Sequence, residues 1–436
     1  MAQLAINGGP MANPEGHQHY PVLRQEDRDA VNRVLDSGKF WGLDGPEVTG
    51  LEREWNQYIG SRHTLSCNSG TAGLHMAIAA VGVKPGDEVI TSSLTFVASA
   101  MCALQHNAIP VFVDVDPRTF NMDPKKLEAK ITEKTKAIIP VDLHGMPCDM
   151  DEINAIAKKY GIPVIADSCQ SHGATYKGRK VGTLADISVF SLNGLKNLEC
   201  GDGGFLNTDS DEYFEKANIL RVFGEKIKAG VPRDYDSNEI GWCYRMLEMP
   251  AAYARSKLVH LDEDNLVRQR NAKYLTEGLA GLPGVITPYV PADRTSVFHY
   301  YRIRFDPKAL GLTISPNEFR ARVQKALQAE GIAAKRWQTR PVQKQTLFLN
   351  KTGYGYGCPW SCPYGSGKPV NYDNEEDYAV TQQILEDSIV FYDPLFPPNG
   401  TDVMDRYIAA FKKLWANLDE VLDFPIDLND PAINSL

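Results

Sequence analysis

The chain has 436 residues, of which 43% are hydrophobic and 23% charged, and its formal net charge is −9 at pH 7. This composition is typical of a globular protein with ample material for a core, and the length favours a large domain with a smaller one. The acidic balance argues against nucleic acid as a partner, and no apolar run approaches the roughly 18 residues that span a bilayer.

The N-terminus has no basic segment followed by an apolar stretch, so we expect no export signal, no membrane partner and a cytoplasmic location. The eight cysteines are scattered along the chain. Most lie in apolar or strand-like surroundings, as Cys67, Cys102 and Cys169 do. This pattern favours free, packed thiols in a reducing compartment over a disulfide framework.

Residues 1–24 are expected to form an extended arm, and two helices follow at 24–38 and 46–59, with a turn-rich loop at 40–45 between them. Strand-like runs then alternate with helices for about 150 residues, which indicates βαβ units around a mostly parallel sheet. The predicted strands are 63–66, 88–91, 109–115, 137–141, 163–166, 187–190 and 204–207, and the predicted helices are 72–83, 98–106, 124–131 and 149–160. In such sheets, ligands bind beyond the carboxyl ends of the strands.

The chain changes character after residue 245. We predict one long helix or two over 248–279, a strand over 300–304, and helices over 317–330 and 404–418. These elements suit a smaller two-layer α/β domain that closes over a ligand. The expected division is an arm at 1–24, a large ligand-binding domain at 25–265 and a small C-terminal domain at 266–436.

The first polar group at a strand end is the run Asn68-Ser-Gly-Thr-Ala-Gly-Leu. Its small residues lead from a strand directly into a helix, so free N–H groups and the helix dipole face one point. This favours a phosphate cradle with the Thr71 hydroxyl as an extra donor, although an ordinary helix cap explains the same residues. The run is not a P-loop, because no Gly-Lys-Ser/Thr follows.

Two further strand ends carry candidate binding residues. Phe96, in the stretch 92–99, can present a flat face to an aromatic ligand or pack in the core. Asp167 ends an apolar strand, where an ionised carboxylate is costly unless it meets a cation such as a protonated pyridine nitrogen. Gln170 can reach the same ligand's ring or phenolic oxygen, whereas His172 is interpreted as a structural hydrogen-bonding residue rather than a base.

Lys196 lies between the strand 187–190 and the turn Gly201-Asp-Gly-Gly. A lysine held in an interior loses its proton readily, as a Schiff-base lysine must, whereas an arbitrary lysine is usually a surface residue. Ser191 can supply another hydroxyl to a phosphate. Together, the phosphate turn, the aromatic ring, the strand-end aspartate, the serine and the lysine predict a pocket for pyridoxal 5′-phosphate (PLP).

Seven motifs extend this pattern along the chain: Asn68-Ser-Gly-Thr-Ala-Gly-Leu, Leu94-Thr-Phe, Val111-Phe-Val-Asp-Val-Asp, Asp167-Ser-Cys-Gln, Phe190-Ser-Leu-Asn-Gly-Leu-Lys, Gly201-Asp-Gly-Gly and Met249-Pro-Ala-Ala-Tyr-Ala. In this order they resemble the DegT/StrS family of aminotransferases, from about residue 20 to at least residue 305 and more loosely to the C-terminus. The resemblance implies the α/β fold of fold-type I PLP-dependent transferases. That fold has a large domain with a mostly parallel sheet of seven strands and a smaller C-terminal α/β domain.

The family aminates keto-sugars and cyclitols, so the resemblance implies an amino transfer from glutamine or glutamate to such an acceptor, in secondary-metabolite or cell-surface sugar biosynthesis. It also implies a homodimer with shared active sites and no metal. Lys196 is then the Schiff-base lysine and proton carrier, Asp167 binds the pyridinium, Phe96 stacks on the ring and Gln170 lies near the phenolic oxygen. The residues expected to bind the cofactor are Gly70, Thr71, Ala72, Phe96, Asp167, Gln170, Ser191 and Lys196.

Three departures from the family pattern stand out. Leu192-Asn193 replace a phenylalanine followed by histidine or glutamine. Cys243 stands where the family has an asparagine that reaches the phosphate in the neighbouring subunit, and Asn238 is a nearby substitute. The loop 353–365 is rich in glycine and aromatic residues, and we expect it to pack near the pocket mouth. Its Cys358 and Cys362 would be only half of a structural zinc site.

Three other functions are alternatives to amino transfer. A PLP-dependent sugar dehydratase of the same family has histidine in place of Lys196. A catalytically silent or regulatory relative would keep the fold, and the departures at Asn193 and Cys243 leave that reading open. A nicotinamide oxidoreductase lacks support, since the glycine fingerprint and the ribose-binding acid are missing.

Overall fold

The computed structural model describes residues 3–40, 45–227, 231–361, 370–428 and residue 430. Its helices are α1 (Gln25–Ser37), α2 (Pro46–Ile59), α3 (Gly70–Ala80), α4 (Ala98–Gln105), α5 (Pro124–Leu127), α6 (Met150–Tyr160), α7 (Asp211–Arg221), α8 (Glu248–Leu258), α9 (Leu261–Leu279), α10 (Pro316–Ala329), α11 (Thr346–Asn350), α12 (Ala379–Asp387), α13 (Thr401–Trp415) and α14 (Leu418–Asp423). None of these helices has both the length and the apolar character that crossing a bilayer requires.

The strands are β1 (His63–Cys67), β2 (Glu88–Ser92), β3 (Ile109–Val113), β4 (Thr135–Ile139), β5 (Ile165–Asp167), β6 (Thr175–Tyr176), β7 (Arg179–Lys180), β8 (Ile187–Ser191), β9 (Gly204–Thr208), β10 (Val285–Ile286), β11 (Tyr301–Phe305) and β12 (Ser388–Phe391). Two sheets, β1-β9-β8-β5 and β3-β2-β4, are joined by parallel bridges from Ile138 to Val164 and from Val141 to Asp167. The result is one row of seven strands in the order β3-β2-β4-β5-β8-β9-β1. All of its pairings are parallel except those of β9.

This sheet is buried on both faces, as expected of a parallel sheet flanked by helices. Successive side chains of a strand point to opposite faces, so neighbours enter different cores. Ile138 and Phe190 join one hydrophobic cluster with Trp55 of α2, whereas Ile139 and Val189 join a second cluster on the other face. The doubly wound α/β fold and the mostly parallel seven-stranded sheet predicted from the sequence are therefore confirmed.

A second, antiparallel sheet of β10, β11 and β12 packs with α9, α10 and α13 around its own core, which includes Phe305 and Phe319. The N-terminal arm joins this core. Leu4 is fully buried, and the backbone N–H of Ala5 donates to the Glu330 carboxylate at 2.8 Å. The predicted boundary at residue 265 lies inside α9, and the division into three segments remains a prediction.

Several elements differ from the sequence prediction. The helix predicted at 124–131 ends at Leu127 and continues as a 3-10 turn, whereas the region 248–279 forms two helices, α8 and α9, which is one of the two arrangements predicted. The sequence pattern did not predict α7, α12 or β12. β12 has only four residues, and its strand character comes from pairing with β11 rather than from a local period. Residues 41–44 of the loop predicted at 40–45 lie outside the described residues.

Candidate active site

The predicted binding residues come together at one edge of the large sheet. Asp167 is the last residue of β5 and Ser191 the last of β8, and these strands run parallel. Gly70 begins α3, directly after β1. Parallel strands end at the same edge of a sheet, so their polar ends converge where α/β folds bind ligands.

The turn into α3 is shaped to receive an anionic group. A Cβ added at Gly70 would lie 2.8 Å from Ser191 Cβ, so the turn and the end of β8 touch directly. Among the described residues, no acceptor pairs with the backbone N–H groups of Gly70 and Thr71. The N–H of Ala72 donates instead to the Ser69 hydroxyl at 3.1 Å, so this predicted phosphate donor already has a partner. Two free amides at a helix N-terminus, with the hydroxyls of Thr71 and Ser191 nearby, fit a phosphate.

Asp167 is a buried carboxylate that lacks a cation. Its side chain is only 5% exposed, and it accepts hydrogen bonds from the Ser99 hydroxyl at 2.6 Å and the Cys169 N–H at 3.2 Å. Within the described part of the chain, no lysine or arginine lies within ion-pair distance of it. A buried carboxylate is stabilised by a cationic partner, so this site fits a protonated pyridine nitrogen.

Lys196 lies in the loop between β8 and β9, within the electrostatic field of Asp167. Burial lowers the pKa of its ammonium group, and the charges of Cys169 and Asp167 raise it by a smaller amount. A lowered pKa increases the fraction of neutral amine, which is the nucleophilic form. The lysine is therefore not a solvated surface residue, although that is the usual environment of a lysine.

Two tyrosine hydroxyls hold the backbone on either side of Lys196. Tyr392 donates to the Leu195 carbonyl, and Tyr20 donates to the Asn197 carbonyl at 3.3 Å. These tyrosines belong to the C-terminal segment and to the N-terminal arm. The loop that carries the lysine is thus fixed by parts of the chain far from it in sequence.

Phe96 is 57% exposed, which is unusual for a phenylalanine that could pack in a core. Its exposure excludes the core interpretation and leaves the ring free to cover a flat ligand. Gln170 is buried, and its Oε1 accepts from the His144 N–H at 2.8 Å. Its NH₂ group therefore remains available as a donor to a ligand oxygen.

His172 lies inside an aromatic cluster, and among the described residues neither of its ring nitrogens has the hydrogen-bond partner that the sequence interpretation expected. Its ring centroid lies 6.0 Å from that of Trp55 and 5.2 Å from that of Phe190. Burial and the nearby Lys196 charge lower the pKa of its imidazole to about 3. A neutral ring held among aromatic side chains suits a structural role.

The residues that depart from the family pattern have structural partners. Leu192 is fully buried in the core, and the Asn193 side chain donates to the Asp202 carboxylate at 3.0 Å. Cys243 is exposed, and its backbone pairs with Val222. The Asn238 amide donates to the carboxylate and carbonyl of Asp236 in its own loop, at 3.1 and 3.2 Å.

The glycine- and aromatic-rich loop is not where the sequence led us to expect it. Trp360 donates to the Tyr372 hydroxyl, which donates to the Pro110 carbonyl, and the Tyr354 hydroxyl donates to the Gln105 carbonyl. Pro110 is near the start of β3 and Gln105 ends α4, so these contacts place residues 353–361 at the amino edge of the sheet. That edge lies opposite the pocket of the same chain. Cys362 and residues 363–365 of this loop lie outside the described residues.

The sequence interpretation missed several residues that support the pocket: Ser99, His144, Tyr20 and Tyr392. Ser99 lies one helical turn after Phe96, so its spacing could have indicated that both side chains face the pocket. His144 follows β4, and its N–H aligns Gln170, while its Nε2 accepts from Arg302 at 2.9 Å. No local pattern pointed to Tyr20 or Tyr392.

Solved structures identify the class of protein that this fold and site define. The X-ray structure of S. venezuelae DesV in complex with a ketimine intermediate is 31% identical, has a TM-score of 0.78, and covers 90% of this chain and 95% of that chain. The PLP-form of Spr1654 from Streptococcus pneumoniae is 26% identical, also with a TM-score of 0.78, and covers 92% of this chain and 98% of that one. The fold is that of the fold-type I PLP-dependent transferases, as predicted.

Sequence comparison identifies the family. The model of the DegT/DnrJ/EryC1/StrS aminotransferase family matches residues 21–362. GDP-perosamine synthase of Caulobacter vibrioides is 39% identical over 323 residues, which are 74% of this chain and 82% of that protein. The chain belongs to the DegT/DnrJ/EryC1/StrS aminotransferase family, and it is an aminotransferase that uses pyridoxal phosphate. The family and cofactor predicted from the motifs are thereby confirmed.

Proposed function

We propose that this enzyme transfers an amino group from glutamine or glutamate to the ketone of a keto-sugar, free or nucleotide-linked, or of a keto-cyclitol. The observation that carries this is the placement of the Lys196 amine in the field of the buried Asp167, at the edge of the sheet where the free amides of Gly70 and Thr71 also lie. Such a pocket holds PLP and a movable proton together. The name of the relative from Caulobacter vibrioides, GDP-perosamine synthase, supports a sugar acceptor.

Each pocket residue has a role in this proposal. The phosphate is bound by Gly70, Thr71, Ala72 and Ser191. The Ala72 N–H must first break its hydrogen bond to the Ser69 hydroxyl. Asp167 holds a proton on the ring nitrogen, Phe96 covers the ring, and Gln170 donates its NH₂ to the phenolic oxygen. When bound, the cofactor supplies an electron sink that makes the Cα–H of the amino donor acidic. Lys196 would bind the cofactor through its amine. It would move a proton from Cα of the amino donor to the cofactor's C4′ in the first half-reaction, and from C4′ to the acceptor carbon in the second.

The enzyme is further proposed to act as a homodimer with shared active sites. Exposed apolar side chains gather in the segment around residues 223–247, close in sequence to Cys243: Phe223, Val231, Tyr235, Ile240 and Leu247. An exposed apolar patch of this kind marks a protein interface. Cys243 and Asn238 lie in the same segment. Asn238 would have to break its hydrogen bond to Asp236 to reach the phosphate bound in the neighbouring subunit.

The test is a substrate panel. The enzyme is converted to its amino form with glutamine or glutamate and mixed with keto-cyclitols and keto-sugar nucleotides, and aminated products are detected by mass spectrometry. Turnover with at least one member of the panel is expected. The variant Lys196→Ala should show none, and Lys216→Ala, an exposed lysine paired with Glu212 on α7, is the matched control. Turnover by Lys196→Ala, or no product from the wild type with any acceptor, contradicts the proposal.

A further inference from the structure

Two histidines of the N-terminal arm meet an aspartate of the C-terminal segment. Asp393 Oδ2 lies 2.8 Å from His19 Nδ1 and 3.9 Å from His17 Nε2. One possible ligand atom from each of the three residues lies within 4.8 Å of the other two. His19 and Asp393 are 374 residues apart in sequence, so only the folded chain brings these donors together.

The backbone between the two histidines is held in place. The Gln18 N–H donates to Asn399 Oδ1, and the Asn399 amide donates to the Gln18 carbonyl, both at 2.9 Å. The same amide also donates to the Asp393 carbonyl at 3.1 Å. Asn399 thus fixes both sides of the cluster before any ligand is present.

The donor set and its spacing match a metal site. Two imidazole nitrogens and one carboxylate oxygen form the three-ligand sites of zinc enzymes, with bonds of about 2.0–2.2 Å and a further position open. Donors at that radius around one tetrahedral ion are roughly 3.3–3.6 Å apart. The separations of 2.8 and 3.9 Å lie on either side of this range. The third separation, between the two histidine nitrogens, is no more than 4.8 Å.

The charge of the cluster also favours a cation. Within the part of the chain that the structure describes, no lysine or arginine nitrogen lies within ion-pair distance of Asp393. The His19 side chain is 82% exposed, whereas those of His17 and Asp393 are 10% and 19% exposed. An ion can therefore reach two partly shielded donors past one exposed imidazole.

We propose that His17, His19 and Asp393 bind a divalent first-row transition-metal ion such as Zn²⁺. Imidazole and carboxylate together suit this class of ion better than the oxygen-only sites of Mg²⁺ or Ca²⁺. His19 directly precedes Tyr20 and Asp393 directly follows Tyr392, and these tyrosines hold the backbone around Lys196. The ion fastens the arm to the segment that supports the lysine loop.

The test uses the full chain loaded with PLP and freed of metal with a chelator. Zn²⁺ is titrated by calorimetry and Co²⁺ by its visible absorption, with the wild type and with His17→Gln and His19→Gln. His260→Gln is the matched control, because His260 also pairs with a carboxylate, Glu26, at 2.9 Å but belongs to no cluster of three donors among the described residues. Thermal unfolding without metal verifies that each variant is folded.

One ion per chain is expected in the wild type, with His17→Gln and His19→Gln each weakening binding by more than about tenfold, and His260→Gln leaving it unchanged. Absence of saturable binding in the wild type overturns the proposal. So does binding that survives in both histidine variants, or that is lost instead in Cys358→Ser, which would assign the ion to the cysteine loop.

Discussion

Two residues of the pocket lie in environments opposite to those their chemistry prefers. Phe96 is a large apolar side chain that is more than half exposed, and Asp167 is a carboxylate that is almost fully buried. Exposing an aromatic ring and burying an unpaired carboxylate both cost free energy in an isolated chain. In the proposed binding mode a pyridine ring would remove both costs, because Phe96 would cover its face and Asp167 would meet its nitrogen.

Phe96→Ala should weaken PLP binding without weakening the fold. The ring is exposed, so the free energy of unfolding of the cofactor-free protein should change by less than about 0.5 kcal/mol. Loss of aromatic contact with the cofactor should cost about 1 kcal/mol of binding, a fivefold rise in Kd. Phe205→Ala is the control: Phe205 is fully buried against Trp55, and its removal should cost about 3–5 kcal/mol of stability. A stability loss of that size in Phe96→Ala would contradict the placement of the ring.

Lys196 should lose its proton below its ordinary pKa of 10.5, because burial destabilises the charged ammonium. A lowered pKa makes the neutral amine available at lower pH, so labelling of Lys196 by an amine reagent should begin at lower pH. The midpoint is measured by mass spectrometry on the cofactor-free protein. In Asp167→Asn it should fall further, because the Asp167 charge raises the pKa of the lysine. A labelling midpoint at pH 10.5 or above, or a higher midpoint in Asp167→Asn, would refute the lowered pKa of Lys196.

The loop between β8 and β9 is an element without regular structure of its own, yet its backbone is well supported. The Lys196 N–H donates to the Asn193 carbonyl at 2.8 Å, and the Asn197 amide donates to the Val297 carbonyl at 3.0 Å. The first bond lies within the loop, and the bonds of Val297, Tyr20 and Tyr392 come from three other segments. A loop that carries a reacting group needs such support, because small misplacements of reacting atoms are costly.

Tyr392→Phe should affect the reaction more than the fold. The variant loses the hydrogen bond to the Leu195 carbonyl, which costs about 1 kcal/mol of stability, while the ring keeps its packing on Phe396 at 4.5 Å. With the lysine loop released, kcat should fall by about tenfold, with KM for the amino donor less affected.

Tyr274→Phe provides the comparison for this variant. Its hydroxyl also makes one hydrogen bond, to Asp405 at 2.7 Å, but on the exposed side of α9. Its kcat and the pH midpoint of Lys196 labelling should match the wild type. If both variants lower kcat equally, Tyr392 has no positioning role.

At the scale of the whole molecule, the arm links the two ends of the chain. It contributes Leu4 to the C-terminal core, pairs with Asp393 through His19, and reaches the lysine loop through Tyr20. The exposed apolar residues of 223–247 lie outside both cores. No described residue covers this surface, and it is where the proposed second subunit would bind.

Ile240→Asp should therefore convert a dimer into a monomer. Light scattering should give twice the 48.4 kDa chain mass for the wild type and the single-chain mass for the variant. A charge placed in an apolar interface is costly because it must lose water. Ile286→Asp is the control, since Ile286 is also an exposed isoleucine but lies on β10. A wild-type monomer, or dissociation by Ile286→Asp alone, would argue against this interface.

The sequence was sufficient for the parts of the site that depend on local order. A strand that runs into a helix exposes the amides of Gly70 and Thr71, and an apolar strand that ends in Asp167 needs a cation nearby. Parallel strands end at a common edge, so alternation of strands and helices also predicted that these residues would meet. The position of β12 was not predictable in this way, because its strand character depends on pairing with β11. The helix α7 was missed although its Ser210 N-cap and acidic first turn are local signals of a helix start.

The sequence by itself determined the class of fold and the cofactor, and it supplied the residues that we propose bind it, since each follows from a short motif and its place at a strand end. Only the tertiary structure decided what surrounds Lys196: the tyrosines from both ends of the chain, the contact of His144 with Gln170, the exposure of Phe96, and the cluster of His17, His19 and Asp393. The physical reason is the separation along the chain over which each kind of interaction acts. Hydrogen-bonding and periodic preferences act over a few residues, whereas the tyrosine and His19–Asp393 contacts join residues 177 to 374 positions apart, and the contact of His144 with Gln170 joins residues 26 positions apart.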